Sequence, residues 1–243
     1  MRYKVTLAYN GNNYVGFQSQ INGLAIQDAI EKAIKIIFKE DIRIIMASRT
    51  DAGVHAYGQV IHFDSEKKMD AYKLKGSLNA LTPKDIHISK VEIVSNKFHC
   101  RFDVKSKTYE YLINVGEYNV FLDGFAYQCY YKLDLDLMKK GAELFLGTHD
   151  FSSFNTTPYE DKKDQVRTIS EFKITKNKDL IKIRVTGDGF LRNMVRIMVG
   201  TLIDLGRGQK NLKDIENMLL SPSKNTKRYN ITGSGLYLVK IRY

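Results

Sequence analysis

The first apolar positions alternate with polar ones. "RYKVTLAY" (residues 2–9) keeps a period of two, the pattern of a half-buried strand. The period then changes. In "LAIQDAIEKAIKIIFKE" (24–40) Leu24, Ile26, Ala29, Ile30, Ala33, Ile34, Ile37 and Phe38 recur at helical spacing, with Asp28, Glu31, Lys32 and Lys35 mostly opposite. That predicts an amphipathic helix. The Gly- and Asn-rich stretch between them, "NGNNYVGFQSQING" (10–23), reads as a loop that carries Tyr14 and Phe17. Two buried strands are expected at "IRIIMA" (42–47) and "GQVIHFD" (58–64), joined by "ASRTDAGVHA" (47–56). A modest helix over 70–81 stops before Pro83, and strands follow over 85–94 and 107–116. Strand, helix, strand, then strand, helix, strand is the order of a split βαβ unit.

Residues 117–131 are less regular and read as a link. Beyond them a helix over 135–146 precedes a long polar loop, 148–165. Strands over 166–175 and 180–187 pair as a hairpin around "KNKD", an apolar helix spans 189–206, a short helix 211–220, and a last strand 235–243. The second half is no sequence repeat of the first, but its element content is similar. The expectation is therefore an α+β protein of two similar lobes, 1–116 and 117–243, each a mixed or antiparallel sheet of ferredoxin-like, split βαβ kind with flanking helices. The two lobes would flank a central basic cleft.

The 243 residues and 43% hydrophobic content suffice for a substantial core. No run of 18 apolar residues occurs, so no membrane span is expected, and an N-terminus that goes straight into a strand leaves no room for a secretory signal. Two cysteines, Cys100 and Cys129, make no framework or metal site, and free thiols in a cytoplasmic protein are the simpler reading. The net charge of +11 is spread over both halves, +4 up to residue 122 and +7 beyond, which suggests a polyanionic partner.

Asp51 leads the candidates for chemistry. It lies in a turn, followed by Ala-Gly, and Arg49 is near enough in sequence to swing back and pair with it. An opposite charge favours the ionised carboxylate, which can serve as nucleophile or base. A surface Asx turn fits the same residues. His55 offers a base, a packing ring or an RNA contact. The five histidines have no metal-ligand spacing. Tyr109 and Tyr111, two apart on one strand, share a face and can stack on a base or fill a core. Arg192 and Arg196 stand four apart in an apolar helix with Asn193, where they either end the apolar face or meet a phosphate or carboxylate. No phosphate loop, dinucleotide-binding glycine motif or nucleophile elbow is present, which argues against nucleotide hydrolysis and nicotinamide chemistry.

"SRTDAGVHAYGQV" (48–60), "FHCRFDVKSKTYEYLI" (98–113), "GTHDFSSF" (147–154), "VRTI" (166–169), "GDGFLRNMVRIMVGTLIDLGRG" (187–208) and the closing "GLYLVKIRY", in this order, resemble the TruA family of tRNA pseudouridine synthases. The resemblance implies isomerisation of uridines in the tRNA anticodon stem-loop, at positions 38 to 40, by a homodimer that uses no cofactor and no metal. It puts Asp51 at the catalytic aspartate and Tyr109 at the active-site tyrosine, with Arg49 and Arg196 as further catalytic residues. Arg196 would pair with Asp51 or a nearby phosphate. Phe17, Gln18, His55, Arg101, Lys107, Arg192 and Asn193 would contact the substrate. This chain departs from the family pattern at Ser48, where glycine is usual, at 19–25 and at "ITGSG" (231–235). A synthase acting on another RNA, such as ribosomal RNA, and a non-catalytic RNA-binding homologue are the alternatives.

Overall fold

The computed structural model describes residues 1–156, 164–223 and 225–243. They form two compact units, Met1–Lys105 with Tyr237–Tyr243, and Ser106–Leu236.

The first unit holds β1 (Arg2–Tyr9), α1 (Ile26–Phe38), β2 (Ile45–Met46), β3 (His55–Asp64), α2 (Ala71–Leu81) and β4 (Ile86–Val94). β1 lies between β4 and β3, antiparallel to both, and β2 pairs with the far side of β3. This is the expected split βαβ arrangement. Alternation along β1 puts Tyr3, Val5, Leu7 and Tyr9 inside, and the helical stripe of α1 buries Ile26, Ile30, Ile34 and Phe38. Phe38 reaches both Tyr3 and Phe63, with ring centroids 5.9 Å from each. α1 ends where Lys39 turns left-handed at φ 58°, and α2 begins at Asp70, whose carboxylate accepts from the Tyr72 and Lys73 amides. β2 is shorter than the strand expected over 42–47. The Ile44 amide donates to the Glu31 carboxylate at 3.0 Å instead of to a ladder. β3 starts three residues earlier than expected, at His55, because the last strand, β10 (Leu236–Arg242), runs parallel to it there and pairs Tyr237 with His55.

The second unit contains β5 (Ser106–Asn114), β6 (Tyr127–Gln128), α3 (Leu135–Glu143), β7 (Gly147–Asp150), β8 (Val166–Asn177), β9 (Leu180–Gly187), α4 (Met194–Gly206) and α5 (Leu212–Leu220). β5 pairs antiparallel with β9, β9 with β8 and β8 with β7, while β6 runs parallel to β5. The β8–β9 hairpin forms as expected, closed by Lys178 at φ 51°. Three expectations change. β6 occupies part of the presumed link. β7 replaces the start of the polar loop, of which 157–163 lies outside the described residues. The apolar helix expected from 189 starts only at Met194, because Asn193 is left-handed at φ 61°. α4 is buried on almost every side, from Met194 to Gly206.

Candidate active site

The loop that carries Asp51 is held from three directions. The side-chain amide of Gln59, fully buried in β3, clamps Ser48: its Nε2 donates to the Ser48 carbonyl at 2.7 Å and its Oε1 accepts the Ser48 amide at 3.3 Å. Two residues on, Thr50 Oγ1 lies 2.8 Å from the Tyr9 hydroxyl, and the Thr50 carbonyl accepts the Phe17 amide at 3.1 Å. Gly16 bridges Asp51 at φ 126°, and a Cβ there would stand 2.8 Å from the Thr50 carbonyl oxygen, so only glycine fits. The chain then turns back, with the Val54 amide donating to the Asp51 carbonyl at 3.2 Å and Gly53 at φ 73°. Ser48, unlike the glycines around it, does not have a positive φ, so its side chain is accommodated without backbone strain.

These ties leave Asp51 half-buried between buried Thr50 and exposed Ala52. Arg49 is exposed, and among the described residues no ion pair joins it to Asp51, contrary to the expected swing-back. An exposed guanidinium gains little from a surface ion pair.

His55 packs. It is 2% exposed, its Nδ1 accepts the Gly11 amide at 3.1 Å, and its ring stacks on Tyr237 at 4.7 Å. That hydrogen bond places the ring proton on Nε2. Phe17 is also fully buried, 5.8 Å from the Tyr9 ring, so it supports the loop from beneath and offers no face for a substrate to stack on. The neighbouring Gln18 is exposed. Arg101 is exposed as well, with its Nε donating to the Met46 carbonyl at 3.3 Å, just before the loop begins.

In the second unit Lys107 and Tyr109 lie on β5, opposite Gly187 and Val185 of β9. Tyr109 is 5% exposed and meets Phe190 edge-on at 5.0 Å. Tyr111, on the same face, donates to the Thr232 carbonyl at 2.8 Å. Burial pushes its phenol strongly up, against the opposing pull of Arg196. Arg196, in the first turn of α4, donates through Nε to the Ile231 carbonyl at 2.6 Å and through Nη1 to Asn193 Oδ1 at 2.8 Å. Arg192 and Asn193 precede the helix; Arg192 is exposed. Thus Phe17, Gln18, Arg49, Asp51, His55 and Arg101 surround one loop of the first unit. Lys107, Tyr109, Arg192, Asn193 and Arg196 belong to the second.

Sequence reasoning missed Gln59, Thr50, Phe190, Tyr237 and Thr156. A polar residue at an inward position of a strand was the one available signal for Gln59; the others carry none. Cys100 and Cys129 are both buried and in no disulfide, and among the described residues no group of three His, Cys, Asp or Glu side chains is placed to hold a metal ion.

A protein-family model described as tRNA pseudouridine synthase matches residues 6–103 and 142–243. A Bacillus licheniformis protein named tRNA pseudouridine synthase A is 42% identical over 246 residues, covering 100% of this chain and 99% of its own length. Proteins of the same name from Streptococcus agalactiae and Bacillus subtilis are 41% and 39% identical, again over 100% of this chain and 95% and 99% of their own lengths.

Proposed function

The chain belongs to the TruA family of tRNA pseudouridine synthases, and from that premise we propose that it converts uridine to pseudouridine in the anticodon stem-loop of tRNA, at positions 38 to 40, with Asp51 as the catalytic carboxylate. The observation that carries this reading is the end-to-end similarity to a tRNA pseudouridine synthase A at 42% identity. "SRTDAGVHAYGQV" supplies the residue-level assignment.

The reaction breaks the N1–C1′ bond of uridine, turns the uracil and rejoins it to C1′ through C5. The C5 proton leaves and N1 gains one, so the atoms balance and nothing is oxidised or reduced. The Asp51 carboxylate attacks C1′, removes a ribose proton to generate a glycal, or adds to C6 of the base. The solvated Arg49 guanidinium suits the space a flipped nucleotide vacates. Tyr109 stacks against the uracil and helps remove the C5 proton. Arg196 answers negative charge at the site. Lysines bind the RNA backbone, so affinity falls as salt rises. The reading includes a homodimer in the cytoplasm that needs no cofactor, and sedimentation equilibrium tests the dimer. Among the described residues no helix is long and apolar enough to cross a membrane.

The test is incubation, with no metal added, with unmodified anticodon stem-loop transcripts, followed by chemical mapping of pseudouridine. Modification at positions 38 to 40 is expected, and Asp51→Asn should form none. Modification of ribosomal RNA transcripts alone would move the substrate assignment. An Asp51→Asn enzyme at the wild-type rate refutes the role of the carboxylate.

A further inference from the structure

The start of α4 contains an arrangement that ordinary helix capping does not explain. Asn is among the best N-cap residues because its side chain accepts an amide of the first turn. Asn193 is the N-cap of α4 yet makes no side-chain cap hydrogen bond. Its Oδ1 instead accepts from Arg196 Nη1 at 2.8 Å, and its Nδ2 donates to Thr156 Oγ1 at 2.7 Å. The Thr156 amide in turn donates to the Arg192 carbonyl at 3.2 Å. The preceding residue, Asn155, is fully buried, and its Nδ2 donates to Gln165 Oε1 at 2.8 Å. Its carbonyl accepts from Arg228 Nη1. Thr156 is therefore a fixed point.

We infer that Asn193 is a positioning residue for Arg196: it gives up its cap so that a Thr156–Asn193 relay can set the guanidinium. This rests on the proposed function, in which Arg196 works at the catalytic site. Arg196 has three rotatable bonds between Cβ and Nε, and a long side chain on a helix surface loses rotamer entropy when it is ordered. Two ties fix it. Nε donates to the Ile231 carbonyl and Nη1 to Asn193, so the plane of the guanidinium is defined. An amide suits the second tie because it accepts from Arg196 and donates to Thr156 at once. The left-handed backbone at φ 61°, which Asn tolerates better than most residues, turns this amide toward Arg196 and away from the helix N-terminus.

Asn193→Gly separates positioning from folding. Glycine adopts the same φ freely, and since no cap bond exists none is lost. Single-turnover rates on an anticodon stem-loop transcript are expected to fall about tenfold or more, where a displacement of about 1 Å can cost about a hundredfold, with RNA affinity nearly unchanged and the melting temperature lowered by about 4–8 °C for the two lost hydrogen bonds. Thr156→Val should act in the same direction and Thr156→Ser should retain the wild-type rate. The decisive measurement is a double-mutant cycle: in an Arg196→Lys background Asn193→Gly should cost little further. Full single-turnover activity in Asn193→Gly overturns the inference, as does a loss that persists undiminished in the Arg196→Lys background. Full activity in Arg196→Ala would instead remove Arg196 from the proposed mechanism, and the relay's purpose with it. Absence of pseudouridine from the wild-type reaction would overturn the proposed function itself.

Discussion

Replacing Gln59 by leucine tests whether the loop that carries Asp51 is held by one buried amide. The substitution keeps the volume and removes both arms of the clamp. It leaves the Ser48 N–H and C=O without their 3.3 Å and 2.7 Å partners in a residue only 8% exposed. A buried group that loses its partner costs about 1–3 kcal/mol, so the two together cost about 4 kcal/mol. The new side chain returns roughly 1–2 kcal/mol by burying apolar surface where an amide stood. The net loss is about 2–3 kcal/mol. In a chain of this size each kcal/mol lowers the melting temperature by about 2–4 °C, so a drop of roughly 5–10 °C is expected.

The functional loss should exceed what instability alone produces. Ser48 stands three residues before Asp51, and its clamp works beside the Thr50 tie to Tyr9 and the backbone bonds of Thr50 to Phe17 and of Val54 to Asp51. Single-turnover pseudouridine formation at 25 °C, well below the transition, should fall at least about tenfold, as expected for a reacting group displaced by about 1 Å. Gln59→Glu keeps the acceptor but cannot donate to the Ser48 carbonyl while ionised, so it should be impaired more at pH 8 than at pH 6. A Gln59→Leu protein that melts within about 2 °C of wild type and reacts at its rate would refute the argument. The loop would then be held by its other ties alone.

Two glycines should respond oppositely to alanine: Gly76→Ala in α2, where a Cβ meets nothing within 4 Å, raises stability by about 0.5–1 kcal/mol, while Gly200→Ala in α4, where a Cβ would stand 2.0 Å from the Tyr229 carbonyl oxygen, lowers the melting temperature sharply. Burial pushes the His62 pKa down from 6.5 to about 4, with Arg2 and His99 adding to the effect and Asp64 and Asp103 opposing it. The unfolded chain therefore binds a proton that the folded chain refuses; stability should fall as pH drops from about 6.5 to about 4, and His62→Gln should flatten that part of a melting-temperature profile. Tyr111→Phe removes the bond to the Thr232 carbonyl and should cost about 1 kcal/mol by denaturant titration.

How far the fold was legible depended on whether one periodicity governed a whole element. β1 and α1 each keep one period throughout, and their extents were read to within two residues. β7 escaped because "GTHD" has no apolar pattern; it is a strand only through its pairing with β8. α4 was read too long because apolar residues run on upstream of its true start, where one left-handed residue interrupts the helix. The site followed the same division. Arg49 and Asp51 were visible as chemistry, but their pairing was inferred from nearness in sequence, and among the described residues Arg49 is exposed without an ion pair to Asp51. His55 was read as a base, a packing ring or an RNA contact and Phe17 as a substrate contact; both are buried, and both pack. The supports were the least legible part. Gln59 and Asn193 are both side-chain amides, and an amide can satisfy a donor and an acceptor at once, a property that leaves no periodic trace. At Gln59 the amide closes on both the N–H and the C=O of one residue of the Asp51 loop, so it acts as a clamp; at Asn193 its partners belong to two different residues, so it acts as a link. The difference lies in which donors and acceptors come within hydrogen-bonding distance, and only the folded chain determines that.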